Sequence, residues 1–172
     1  MAVANITLFV NITAGTLVAS SSSAAQVAPP VVTVGDIYNL RVCIVEANGA
    51  GVGTQLSVLD PSGLALKVGI GVPDAGAPDV LTIAFTPAGN FLVGILDCST
   101  AALQAKVTAG TALSLEIEIS EGATILTAFQ ASITCRKQVI PSNATTPLCR
   151  TSRPLTGTGY CDRTRYRSRR RT

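Results

Sequence analysis

The chain has 172 residues, of which 47% are apolar and only 13% charged. That apolar content excludes a chain disordered as a whole, and the length suits one domain of about 140 residues, able to bury roughly two-thirds of its unfolded surface, plus an appendage. So few charges leave a surface of Ser, Thr, Ala and Gly, as expected either of a protein packed against neighbours or of a secreted, small-residue-rich β-domain.

The formal charge of +3 joins two opposite halves. Residues 1–140 carry five basic residues against nine acids, a net −4, whereas 141–172 carry eight Arg against Asp162, a net +7. Charge and composition therefore divide the chain into a β-sandwich body, 1–140, and an Arg-rich tail, 141–172, expected to be disordered because its few large apolar residues are isolated among Arg, Thr, Gly and Pro.

Ala2 to Ala19 is moderately apolar but lacks a basic leading region, and Asn5, Thr7, Asn11 and Thr13 interrupt it. It reads as a strand rather than a signal peptide. Ala19 to Pro30, rich in Ser, Ala and Pro, reads as an extended loop. Strict alternation then begins. Tyr38, Leu40, Val42 and Ile44 alternate with Asn39, Arg41 and Cys43, as on a strand with two different faces. Leu64, Leu66, Val68 and Ile70 alternate with Ala65, Lys67 and Gly69, and Leu81, Ile83 and Phe85 with Thr82, Ala84 and Thr86. Asp60-Pro61-Ser62-Gly63 is a type I turn signature, with Pro73-Asp74-Ala75-Gly76 and Pro87-Ala88-Gly89-Asn90 as further breaks. Thr86 to Phe91 is short enough to join two strands as a hairpin.

Asn90 to Asp97 is apolar on both faces, Phe91, Val93 and Ile95 on one and Leu92 and Leu96 on the other. Such a strand is either covered on both sides or part of an interface. Ser99 to Ala109 departs from the strand period and reads as a short helix, capped by Asp97, Ser99 or Thr100 and closed by Gly110. Leu113, Leu115, Ile117 and Ile119 then oppose Ser114, Glu116, Glu118 and Ser120, and Phe129, Ala131, Ile133 and Cys135 oppose Gln130, Ser132, Thr134 and Arg136. These runs predict an all-β fold, an antiparallel β-sandwich of immunoglobulin-like or jelly-roll-like type, with about seven or eight strands and one short helix crossing an end.

Little in the sequence points to catalysis. His is absent, which removes the commonest general base and metal ligand. Glu116 and Glu118 share one strand face, where exposed carboxylates solubilise rather than exchange protons. Gly49-Ala50-Gly51-Val52-Gly53 lacks the following helix that a phosphate loop needs, and reads as a hairpin loop. Cys43, Cys98, Cys135, Cys149 and Cys161 have no zinc-like spacing, and their odd number fits reduced thiols. The sequons at Asn5, Asn11 and Asn143 read as chance matches. No apolar run approaches the ~18 residues of a membrane span. No cofactor, metal or membrane partner is expected.

The tail ends in Arg163, Arg165, Arg167, Arg169, Arg170 and Arg171, interleaved with Tyr160 and Tyr166. Three readings stand: an arm that binds nucleic acid non-specifically, a solvated unfolded tail, and text shifted out of frame from its ancestor, since all its basic residues are Arg.

The run Asp97-Cys98-Ser99-Thr100-Ala101-Ala102-Leu103, the Ala-rich helix after it, Leu115-Glu116-Ile117-Glu118-Ile119 and the closing Ile133 to Ile140 together resemble a recurring domain of tailed-phage virion proteins. Leu64 to Gly71 resembles a strand of baseplate and tail-fibre N-terminal domains, so that the resemblance covers most of Val32 to Ile140. It implies a β-sandwich, a non-enzymatic structural or assembly role as a tail, baseplate or fibre adaptor, contacts with other virion proteins, a homo-oligomer, and a place in the virion after assembly in the host cytoplasm. The Arg-rich tail departs from that pattern. The rival expectation is a bacterial surface or secreted immunoglobulin-like adhesion domain.

If the tail is a nucleic-acid arm dispensable for folding, removing Ser142 to Thr172 leaves the melting temperature of the body nearly unchanged. It also abolishes a DNA binding that fades steeply with salt, because released counterions drive it. Gel-shift titrations at two salt concentrations, with a thermal melt of both chains, check this.

Overall fold

The computed structural model describes residues 4–48, 55–73, 75 and 77–137. Among them are one helix, α1 (Ala101–Ala109), and thirteen strands: β1 (Ala4–Asn11), β2 (Thr16–Ser20), β3 (Ser23–Gln26), β4 (Val32–Thr33), β5 (Ile37–Asn48), β6 (Gln55–Val58), β7 (Leu64–Gly71), β8 (Val80–Thr82), β9 (Thr86–Ala88), β10 (Phe91–Asp97), β11 (Leu113–Glu121), β12 (Thr124–Ile133) and β13 (Cys135–Arg136). The fold is mostly β, as the alternation requires. The strand count exceeds the seven or eight expected, because β3, β4, β8, β9 and β13 are segments of two to four residues, too short to show a period.

The longer sheet has the order β3-β2-β1-β5-β10-β9, with β6 also paired to β5. A second sheet has the order β12-β11-β7-β8, and β13 pairs with β4 alone. Not all neighbours are antiparallel: β1 runs parallel to β5 from Ala4↔Tyr38 to Asn11↔Val45, and β13 runs parallel to β4. A parallel pair needs a long crossover. Here β2, β3 and β4 supply it, carrying the chain back to the end of β1 from which β5 starts.

Local chemistry sets the turns. The buried Asn11 accepts hydrogen bonds from the amides of Thr13 (3.0 Å) and Ala14 (3.2 Å), bending β1 into β2. Asn11 of the second sequon is thus committed to a turn. Asp60 accepts from the Ser62 amide at 2.9 Å, and the Leu64 amide donates to the Pro61 carbonyl, which makes the turn read from Asp60-Pro61-Ser62-Gly63. Ala19 to Pro30 is not wholly loop, since β3 pairs back on β2 after Ser21 and Ser22. Ser, Ala and Gln have modest strand preference, and pairing overrides it.

The inward rows of both main sheets pack into one core: Ile6, Leu8 and Val10 of β1, Tyr38 to Ile44 by alternation on β5, Leu92 and Leu96 of β10, Leu66, Val68 and Ile70 of β7, and Leu115, Ile117 and Ile119 of β11. Helix α1 adds Leu103, fully buried. Of the three candidate caps it is Thr100 whose hydroxyl accepts the Leu103 amide, at 3.3 Å. At the other end Gly110, at φ 73°, donates to Val107 while Thr111 donates to Lys106, which closes the last turn.

The stretch Leu81-Thr82-Ile83-Ala84-Phe85 corrects the sequence reading. Strand pairing stops at Thr82, and Val80 and Thr82 face inward, leaving Leu81 and Ile83 exposed. The Thr82 hydroxyl donates to the Ile95 carbonyl at 2.7 Å, so a polar side chain takes the inward position because a backbone acceptor on β10 meets it there. Beyond Thr82 the chain leaves the sheet, and Phe85 packs over Gly94, where any Cβ would come within 2.9 Å of the ring. The expected Thr86–Phe91 hairpin link contains a strand of its own, β9, joined to β10 through Gly89 at φ 60°.

Gly69 and Gly71 let the connection after β7 fold back across the outer face of the second sheet. A Cβ on Gly71 would lie 2.8 Å from the Pro78 Cα, and one on Gly69 would lie 3.0 Å from the Pro78 Cβ. Gly71→Ala therefore displaces backbone and is expected to destabilise by about 1–3 kcal/mol. Gly63→Ala serves as comparison: its Cβ would meet nothing within 4 Å, and only its φ of +85° is strained. Urea denaturation of the two variants checks the difference.

Candidate interaction site

Two features of the surface combine. The first is a groove of about 530 Å³ on the outer face of the second sheet, floored by Gly69 and Gly71 and flanked by Lys67, Glu116, Glu118, Gln130, Pro78 and Leu81. Its polar side is internally satisfied. Lys67 Nζ sits 2.6 Å from Glu118 Oε1, and Glu116 accepts from Gln130 at 2.9 Å and from the Ser114 hydroxyl at 3.3 Å. The Lys67 side chain is 56% exposed, so the pair is a surface ion pair of about 0–1 kcal/mol. The two carboxylates expected to share a face do so, each held by its own neighbour.

The second feature is apolar. Leu81, Ile83 and Ile95 are 53%, 65% and 59% exposed. Leu81 and Ile83 flank Thr82 in the chain, and the inward Thr82 hydroxyl bonds the Ile95 carbonyl, so Leu81 and Ile83 turn away from that contact while Ile95 belongs to the outward row of β10. Leu81 also lines the groove. Exposed aliphatic side chains of this size are the kind of surface that contact with a partner covers.

The two-faced strand is partly covered. The outward side of the longer sheet carries a second apolar cluster of Val18, Cys43 and Val45, packed by Phe9, Leu56, Val58 and Phe91. The Phe9 and Phe91 rings meet edge to face at 6.1 Å, and the Arg41 guanidinium lies 4.2 Å from the Phe91 centroid. Along β10, Phe91 and Val93 are thus half-buried and Ile95 is open.

Cys43, Cys98 and Cys135 are unbridged, and Cys149 and Cys161 lie outside the described residues. Burial pushes the Cys43 and Cys135 thiols up. Cys98 is pushed up to about 12, chiefly by burial and further by Cys135, Asp97 and Asp36 nearby. In contrast, Asp97 is held below the usual carboxylate range by hydrogen bonds from the Ser99 hydroxyl and amide. The described residues contain no group of three or more His, Cys, Asp or Glu placed to hold a metal, and no helix among them is long and apolar enough to cross a membrane.

The candidate nucleic-acid residues Arg163, Arg165, Arg167, Arg169, Arg170 and Arg171 lie outside the described residues, as do Gly49, Ala50, Gly51, Val52 and Gly53. The outward exposure of Leu81 and Ile83 was missed by sequence reasoning, which placed Leu81, Ile83 and Phe85 on one face of a regular strand, whereas that strand ends at Thr82. Comparison with family models, with curated proteins and with solved structures returns no match.

Cys98 yields a pH prediction. Its folded pKa lies above the ordinary thiol value, so its contribution to stability is complete below about pH 8.5 and is lost as pH rises toward 12. At pH 8 its thiolate fraction is only about 10⁻⁴, and alkylation is correspondingly slow. Peptide mapping after brief iodoacetamide treatment should find Cys98 unlabelled in the native chain and labelled in urea. Thermal melts from pH 8 to 11 should decline less steeply for Cys98→Ala, whatever its starting stability.

Proposed function

We propose that the two main sheets form a β-sandwich and that the chain is a non-enzymatic structural or assembly module of a tailed-phage virion, a tail, baseplate or fibre adaptor that works by contact with other virion proteins. The observation that carries the contact role is the exposure of Leu81, Ile83 and Ile95, three large aliphatic side chains, with Leu81 lining the groove beside Pro78. A free apolar surface of this kind is costly for a protein that stays alone in water, and is relieved by burial against a partner. The assignment to a virion rests on the sequence resemblance over Val32 to Ile140.

The test is to follow the chain in a lysate of cells in which it is produced with its neighbouring genes. It is expected to band with assembled particles in a density gradient and to be recovered by mass spectrometry from the purified particle. Recovery in the cell-wall or culture-medium fraction, with none in particles, overturns the proposal in favour of a surface or secreted adhesion domain. Ile83→Lys is expected to reduce incorporation without lowering stability, because Ile83 is already 65% exposed.

A further inference from the structure

Sheet edges are normally guarded, because an unpaired row of N–H and C=O groups invites another strand. Most edges here are. β3 has four residues and lies against β6; β9 has three and includes Pro87; β8 has three and is tied to β10 through Thr82. β12 differs. It has ten residues, Thr124–Ile133, and its only strand partner among the described residues is β11. Its sequence, TILTAFQASI, holds no charge and no Pro, and Ile125 on it is 62% exposed. The one irregularity lies near its start, where Ile119↔Thr127 is followed by Ser120↔Ile125; from Thr127 to Ile133 the ladder is regular.

We infer that this free edge of β12 pairs antiparallel with β12 of a second copy of the chain, fusing two four-stranded sheets into one across a two-fold axis. Charge selects a second copy over an unrelated strand. The edge is uncharged along its length but flanked by Glu121 before it and by Arg136 and Lys137 after it, all exposed. Antiparallel pairing centred on the regular half sets Gln130 beside its counterpart and carries Arg136 and Lys137 of each copy toward Glu121 of the other. Parallel self-pairing would stack like charges at both ends. The inference rests on the reading of this chain as a contact module and names one of its partners, yet it is tested on the purified chain alone, whether or not the chain belongs to a virion.

Sedimentation equilibrium of the full chain in the micromolar range should show a dimer. Gln130→Lys with Ser132→Lys sets like charges on both sides of the axis and should weaken dimerisation about tenfold or more, with an unchanged far-UV spectrum. Ile83→Lys, at an exposed position outside β12, should leave the dimer intact. Should the lysine pair impair folding, a charge swap decides: Glu121→Lys weakens the dimer, and adding Arg136→Glu and Lys137→Glu restores it. A monomer across the range, a dimer indifferent to the edge lysines, a dimer broken by Ile83→Lys instead, or failure of the swap to restore association overturns the inference. An unsubstituted chain that is monomeric in solution yet recovered from particles would overturn the edge pairing and leave the virion role standing.

Discussion

Strand β5 pairs with β1 along one edge and with β10 and then β6 along the other, and from Val42 to Val45 its side chains are buried on both faces. Tyr38, Leu40, Val42 and Ile44 enter the main core, while Cys43 and Val45 enter the outer cluster with Val18. A strand buried on both faces cannot slip by one residue without exchanging two packed rows. That register places β10, and β10 in turn places the Ile95 carbonyl that Thr82 binds. The positions of Thr82 and of its exposed neighbours Leu81 and Ile83 therefore follow from the packing of β5.

Close approach shapes the opposite side. Gly69 and Gly71 remove side chains where Pro78 crosses β7, and Gly94 does the same beneath Phe85. The chain from Pro78 to Phe85 is thereby pressed onto the second sheet at one end and onto β10 at the other, with Leu81 and Ile83 turned outward between them. Polar groups in the groove are spent on one another, Lys67 with Glu118 and Gln130 with Glu116, so the surface presents satisfied polar edges around apolar ground.

The thiols follow the same division. Cys43 and Cys98 fill apolar space, and burial in that space keeps them protonated. Cys98 also anchors the start of the helical segment by its backbone, donating to Asp36 and accepting from Gly35, so the link between β10 and α1 is tied to the turn that launches β5.

The sequence by itself determined the long elements. Alternation at Tyr38–Ile44, Leu64–Ile70, Leu113–Ile119 and Phe129–Ile133 named both strand and inward face, because a two-residue period has only two phases and apolar side chains choose the buried one. Gly110 and one of three candidate caps, Asp97, Ser99 or Thr100, bounded the helix for an equally local reason, the unsatisfied groups at its ends, and the structure selects Thr100. Of the site, Glu116 and Glu118 on one face and the apolar outward row of β10 were legible. Only tertiary structure decided the rest. The parallel pairing of β1 with β5 and the outward turn of Leu81 and Ile83 each depend on a partner distant in the chain, and the strand formed by Ser23–Gln26 depends on the edge that β2 presents. Local preference could not report them, because a hydrogen bond to Ile95 or a strand edge offered by β2 exists only once the sheets have assembled.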